Sequence, residues 1–343
     1  MSNVYRFLSI AFSLAFVGFL VFLAGASPLQ VAASLWNGAF GTLDRVARVF
    51  STLVPLLLSA CGLVFTFAAS LYNLGIEGQI TMGAISTTFA LRIFPDFFPA
   101  PLGILLGIIA GIIGGTLWGL LTGIFNINGK ISEIFVGLGL NFIAQGLALY
   151  LVFGPWKRPG IASMSGTELF NESLWLPALN QTEASPIALI LAALGLLLTV
   201  VVMRGTYFGL QLRAVGQNFR AAYLLGIPAT QQLLNAFGIC GAFAGLAGAL
   251  QVLAVFHRLI PSISSNFGFL GLLVVMLAGS KIVLLLPISL FFSALNIGSL
   301  QLPLTLNLES SLAGVIQGML VLFVILSRGF TLAKKKQEVL GNG

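Results

Sequence analysis

Residues 73–79 read Asn73-Leu74-Gly75-Ile76-Glu77-Gly78-Gln79, which sets a carboxylate between two glycines in a chain otherwise almost free of charge. An ionisable group in or near hydrocarbon is costly and usually survives only for function. The glycines let the backbone turn sharply there or be approached closely. The pattern Asn-apolar-Gly-apolar-x-Gly returns at Asn266-Phe267-Gly268-Phe269-Leu270-Gly271, without the carboxylate. Two kinds of chemistry fit this arrangement. Glu77 and Gln79 could hydrogen-bond a polar solute in a water-filled cavity, or Glu77 could accept backbone amides and hold a helix break. Asn73 is expected to cap the helix that starts near Ile76. Residue types leave both roles of Glu77 open.

Glu133 and Asn141 form a second polar pair, eight residues apart and therefore close to one helical face. Glu133 near a helix start suits the helix dipole. Asn141 falls within a span, where it either bonds another helix or lines the pathway, the former being favoured. Asn73, Glu77, Gln79, Asn141 and Asn266 are thus the candidate pathway residues. No catalytic constellation accompanies them. His257 stands beside Arg258 without metal-ligand partners and reads as an interfacial residue. Asn128-Gly129-Lys130-Ile131 and Gly279-Ser280-Lys281-Ile282 lack the spacing and hydroxyl of a phosphate-binding loop, so any ATP hydrolysis must come from another subunit. Cys61 and Cys240 lie in apolar runs and read as small core residues. No cofactor is expected in this chain.

Apolar helices must carry these residues. Of 343 residues, 58% are hydrophobic and 7% charged, and mean hydropathy is +1.06. Soluble chains carry roughly 25% charged residues, so an all-α polytopic membrane protein is predicted. About ten segments approach the length needed to cross a bilayer: 7–26, 50–71, 77–94, 101–124, 132–153, 186–203, 228–256, 266–280, 282–300 and 311–328. The first imitates a secretory signal but is read as an uncleaved helix. With both termini in the cytoplasm, Arg6, Lys130, Arg204, Arg213, Arg220, Lys281, Arg328 and Lys334 to Lys336 lie inside. Arg45, Arg48, Arg92, Lys157, Arg158 and Arg258 lie outside, six against ten, which satisfies the positive-inside rule. The net charge of +7 follows this topology and forms no dense patch for nucleic acid.

Five proposed crossings separate the two Asn-x-Gly-x-x-Gly copies, so the copies enter the membrane from opposite sides. That is the sign of an inverted internal repeat, whose glycine-interrupted segments mark a transport site. The whole of 1–343 is read as one transmembrane domain, with a first half about 50–153 and a second about 228–328. The segment 204–227 forms the longest cytoplasmic loop. Within it Leu212, Val215, Phe219 and Ala222 recur at helical spacing opposite Arg213, Gln217 and Arg220. Such a helix lies in the interface or docks a soluble partner. The outer loop about 154–185 either receives an external partner or caps the bundle.

These residues carry a resemblance. Asn73 to Gln79 resembles the N-I-G-V-E-G-Q signature of bacterial ABC importer permeases of the branched-chain amino acid and ribose type, and is most similar to the simple-sugar and nucleoside branch. Leu212-Arg213-Ala214-Val215-Gly216-Gln217-Asn218, followed by Ala221-Ala222-Tyr223 and Gly226-Ile227, resembles that family's cytoplasmic L-R-A-V-G-x-N segment. Ser132-Glu133-Ile134 with Asn141-Phe142-Ile143-Ala144, and Gly268-Phe269 through Gly279, are similar to two further family elements. The likeness runs from about residue 50 to 328. It implies a permease in the bacterial inner membrane that pairs with a like or identical permease, two cytoplasmic ATPase subunits and an external solute-binding lipoprotein. Arg213 to Gly226 would dock on the ATPase, with Arg213, Gly216, Asn218, Arg220 and Gly226 as coupling residues. Leu270 stands where the family has Asp, and Phe219 where it has Pro; a partner permease supplying the missing carboxylate is one expectation. The competing expectation is an ion-coupled secondary transporter, which also uses inverted repeats and broken helices.

Overall fold

A computed structural model describes residues 15–19, 21–22, 25–93, 99–158, 166–179, 182–279, 281–323 and 325–326. Among these the chain is helical and contains no strand. The helices are α1 (Pro28–Phe40), α2 (Leu43–Ala68), α3 (Ile76–Ile93), α4 (Ala100–Ile127), α5 (Glu133–Phe153) and α6 (Pro186–Gly205). After these come α7 (Tyr207–Gln217), α8 (Phe219–Leu224), α9 (Ala229–Leu250), α10 (Phe267–Ala278), α11 (Leu285–Ser299), α12 (Leu302–Leu306) and α13 (Leu312–Phe323). A π-helical turn, Gln251–Phe256, extends α9.

Among the described residues, six helices are long and apolar enough to cross a bilayer: α2, α4, α5, α6, α9 with its π turn, and α11 with the short turn before it. The sequence expectation of ten crossings is met in part. The proposed first span, 7–26, lies mostly outside the described residues, as do both chain ends on which the cytoplasmic termini were argued. Helix α3 matches the span expected at 77–94 but is too polar to count among the six, and α10 and α13 are short. Helix α1 was not expected at all. It opens with proline at its first position, where the missing N–H is harmless, and packs on α11 where Gly38 and Gly298 meet.

Helix α3 is polar because it is enclosed by protein. Glu77, Gln79, Thr81, Thr87 and Thr88 are all buried, with the Thr87 hydroxyl donating to the Gly107 carbonyl at 2.9 Å. Its enclosure depends on a glycine ridge. Gly103, Gly107, Gly111, Gly115, Gly119 and Gly123 recur every four residues along α4 and are buried, while Leu105, Ile109, Ile113 and Leu117 point away and are exposed. Small residues at this spacing let helix backbones approach closely. A methyl group on Gly115 would overlap the Gly241 carbonyl, one on Gly119 the Phe237 carbonyl, and one on Gly83 of α3 the backbone of Gly245. The three helices α3, α4 and α9 therefore form one tight core.

The bundle has two distinguishable ends. At one, the Arg48 guanidinium pairs with Glu183 at 3.0 Å and the Ser51 hydroxyl donates to the Glu183 carbonyl at 2.6 Å. There the Thr167 amide donates to the Leu259 carbonyl at 2.9 Å and the Leu176 amide to the Leu253 carbonyl at 3.0 Å, so the segment 166–179 is strapped across the π turn and the residues just after it. At the other end, about 39 Å along α2, the Ser70 hydroxyl donates to the Gly216 carbonyl at 2.7 Å. Glu133 there accepts the Tyr72 amide at 3.4 Å.

Candidate functional site

After α2 ends at Ala68, residues 69–75 turn back into the bundle and α3 begins at Ile76. Asn73 makes the turn rigid. Its Oδ1 accepts the Gly75 amide at 3.2 Å, and its Nδ2 donates to Gln79 Oε1 at 3.2 Å and to Cys240 Sγ at 3.2 Å. Asn73 thus supports the approach to the helix, while Asn141 of α5 meets the first turn itself. Asn141 Oδ1 accepts the Gly78 amide at 2.7 Å and its Nδ2 donates to the Leu74 carbonyl at 2.8 Å. Gly137 lies against Gly75 so closely that a methyl group would stand 2.5 Å from the Gly75 nitrogen. The expectation that Asn141 bonds another helix is met.

Glu77 does not face open water. It is 1% exposed, and its Oε1 accepts the Phe269 amide at 3.0 Å. The Gly268 amide and the Ser264 hydroxyl also face the carboxylate. Phe269 belongs to the first turn of α10, whose N-cap residue Asn266 sits in the left-handed region (φ 60°) and offers no side-chain cap. The carboxylate of the first motif therefore caps the helix that opens with the second. A carboxyl oxygen at a helix N-terminus meets both the free amides and the positive end of the dipole. Gly268 permits the approach, since a methyl group there would stand 2.6 Å from Ile76 Cγ2 and 3.0 Å from the Glu77 nitrogen.

From this junction the two helices lead to opposite ends. The far part of α3 packs on α4, where Thr87 and Leu91 meet Gly107. The far part of α10 reaches a cavity shared with Ala68, Arg204 and Arg213. Asn73, Glu77, Gln79 and Asn141 are brought together and buried; Asn266 is exposed on the far side of the α10 cap. Sequence reasoning missed Cys240 as a partner of Asn73, because nothing in an apolar run marks which cysteine a polar group will meet.

The segment 204–227 is not one helix. Helix α7 ends at Gln217, Asn218 is extended (φ −158°, ψ 102°) and its Oδ1 accepts the Ala221 amide at 3.0 Å to start α8. Leu212, Val215 and Ala222 are buried as the helical spacing predicted, but Phe219 is 45% exposed. The break at Asn218 resets the helical phase, and that corrects the expected face. Gly216 is half-buried, and a methyl group there would overlap the Ala68 carbonyl. Arg213, Asn218, Arg220 and Gly226 are exposed. Gln232 Nε2 donates to Gln211 Oε1 at 2.7 Å and ties α7 to α9. At the opposite end, His257 stacks on Trp175 with centroids 3.9 Å apart, and among the described residues no cluster suited to a metal ion occurs.

The family described as branched-chain amino acid transport system / permease component matches residues 45–325 of this chain. A guanosine ABC transporter permease, NupP of Bacillus subtilis, is 28% identical over 339 residues, 96% of each chain. A glucose ABC transporter permease, TsgB13 of Haloferax volcanii, is 27% identical across 85% of this chain and 77% of its own. A nucleoside ABC transporter permease, NupB of Lactococcus lactis, is 26% identical across 82% of this chain and 80% of its own. The chain belongs to the branched-chain amino acid transport system permease family: it is a multi-pass membrane permease subunit of an ABC transport system, not an enzyme, and ATP hydrolysis resides in a separate subunit.

Proposed function

We propose that this permease moves nucleosides or related sugars and ribosides into the cell by alternating access. The observation that carries the reading is the Glu77–Phe269 contact, which joins the N-terminal ends of two helices that start after turns within the bundle. Junctions of this kind occur where repeats of opposite orientation meet around a transport route. In the proposed arrangement α3 and α10 are equivalent elements of an inverted repeat, about ten crossings span the bacterial inner membrane, and both termini are cytoplasmic. The whole chain acts as one permease domain. Glu77, Asn73, Gln79 and Asn141 brace the junction rather than bind solute, because each is buried and engaged with backbone or side-chain partners.

Arg213, Asn218, Arg220 and the exposed turn at Gly226 present the surface for a cytoplasmic ATPase. Gly216 transmits its movement to α2 through the contact with Ala68. An external solute-binding lipoprotein delivers the solute at the end capped by the outer loop. A second permease completes the route; exposed Gln145, about 18 Å into α5, then finds a protein or water environment instead of lipid. The solute class follows from relatives whose names give guanosine, nucleosides and glucose.

The test is reconstitution of the chain with its ATPase, partner permease and solute-binding protein in vesicles. ATP-dependent uptake of radiolabelled guanosine, competed by other nucleosides, is expected. Uptake driven by a proton or sodium gradient without ATP would overturn the mechanism, and ATP-driven uptake of glucose alone would overturn the nucleoside reading.

A further inference from the structure

A cavity of about 510 Å³ lies at the Gly216 end of the bundle, between α2, α6, α7 and α10. Arg204 and Arg213 both line it, together with Tyr72, while Phe67, Met203 and Val275 form apolar walls. Among the described residues no carboxylate lines the cavity and neither arginine has an acidic partner. The Arg213 Nε donates to the Gly209 carbonyl at 3.2 Å, which fixes the plane of that guanidinium. Helices α2, α6 and α10 end nearby, and their carbonyl ends attract cations. Each such end carries only about half a negative charge. Together they offset part of the positive charge but satisfy none of the guanidinium donors, of which only Arg213 Nε meets an acceptor among the described residues.

We propose that this cavity holds an anionic phospholipid, with the phosphate on Arg204 and Arg213 and an acyl chain along Phe67, Met203 and Val275. Guanidinium forks match phosphate oxygens in a bidentate manner. Basic pockets between spanning helices at the inner face are suited to anionic headgroups. The apolar walls favour a lipid over a soluble phosphate, which would leave them wet. The site borders the Gly216–Ala68 contact, so a bound lipid would fill the space behind α7. The inference depends on the cavity and its charge, not on which solute the permease carries.

The test uses the permease purified with its partner subunits in mild detergent. Native mass spectrometry would follow titration with phosphatidylglycerol, phosphatidylcholine or inorganic phosphate alone. Phosphatidylglycerol is expected to be retained in preference to phosphatidylcholine, with no comparable binding of inorganic phosphate. Arg204→Gln should weaken phosphatidylglycerol about fivefold and the Arg204→Gln/Arg213→Gln double variant about thirtyfold. Arg204 is exposed, so the single variant decides the matter if the double variant fails to assemble. Equal binding of the two lipids, unchanged binding by the single variant, or inorganic phosphate binding as tightly as phosphatidylglycerol would each overturn the proposal.

Discussion

The Glu77 carboxylate and the Phe269 amide meet at 3.0 Å across 192 residues of sequence. One member belongs to the first Asn-x-Gly-x-x-Gly copy and the other to the second, so the copies are partners in a single contact. This accounts for the asymmetry between them. The first turn of α3 is served by neutral amides, Asn141 on Gly78 and Asn73 on Gly75. The first turn of α10 is served by Glu77. Leu270 lies in a helix start that Glu77 already caps.

Replacing Glu77 tests this directly. Glu77→Gln keeps an oxygen that can accept from Phe269 and should retain most stability and assembly. Glu77→Ala removes the cap and leaves a buried amide unpaired, at a cost of about 1–3 kcal/mol. Melting of the purified complex, followed by size-exclusion chromatography, should separate the two variants. Equal melting would show that the contact does not support α10.

Asn141→Leu should be as damaging as Glu77→Ala, because the Gly78 amide and the Leu74 carbonyl both lose their partner. Each such loss costs about 1–3 kcal/mol. The check is the same melting measurement, combined with solute uptake; a fully stable Asn141→Leu protein would contradict the bonding geometry.

Gly216 and Arg220 should fail differently. Gly216→Ala sets a methyl group against the Ala68 carbonyl, so α7 must shift and ATPase stimulation by solute should fall. Overpacking of this kind costs about 1–3 kcal/mol. Arg220→Gln, on an exposed side chain, should leave melting unchanged and weaken ATPase association. Pull-down of the ATPase beside a melting curve distinguishes the two effects. An Arg220→Gln variant with unchanged association would remove that residue from the docking surface.

Glycines on opposite sides of the bundle should also divide. Gly115→Val or Gly241→Val would force the α4 and α9 backbones apart and should abolish folded protein. Gly139 and Gly146 of α5 have open space where a methyl group would go, and alanine there is expected to be tolerated, with a gain of up to about 1 kcal/mol from helix propensity. Expression and melting of the four variants provide the check.

Much of this was legible in the letters, and the failures have physical causes. The paired motifs, the buried role of Asn141 and the polar segment 204–227 all follow from polar residues set in apolar runs. The direction of the Glu77 contact did not, because nothing local says which distant amide a carboxylate will meet. Phe219 was misplaced since Asn218 breaks the helix and resets the periodicity on which the face was read. Helix α3 falls below the hydropathy of a crossing because it carries polar residues that neighbouring helices enclose, and a window average cannot register that enclosure. The six-glycine ridge of α4 stands in the letters as a repeat of four, but its meaning lies in α9, whose Gly241 and Gly245 complete the contact.

The two ends of the bundle can be assigned by chemical labelling. Cys61 and Cys240 are free and buried, each with no exposed surface, so the native chain gives little background with an impermeant maleimide. Glu183 and Gln217 are both exposed, at the Arg48 end and the Gly216 end respectively. Glu183→Cys breaks an ion pair that is about half exposed on each side, worth at most about 1 kcal/mol, and Gln217→Cys alters a side chain with no structural partner among the described residues. In intact cells Glu183→Cys should react and Gln217→Cys should not; in inside-out vesicles the pattern should reverse. The positive-inside count rests partly on basic residues at the chain ends, whereas labelling reads the two ends of the bundle themselves. Reaction of both positions from the same side would refute the topology, and with it the inverted relation of α3 and α10.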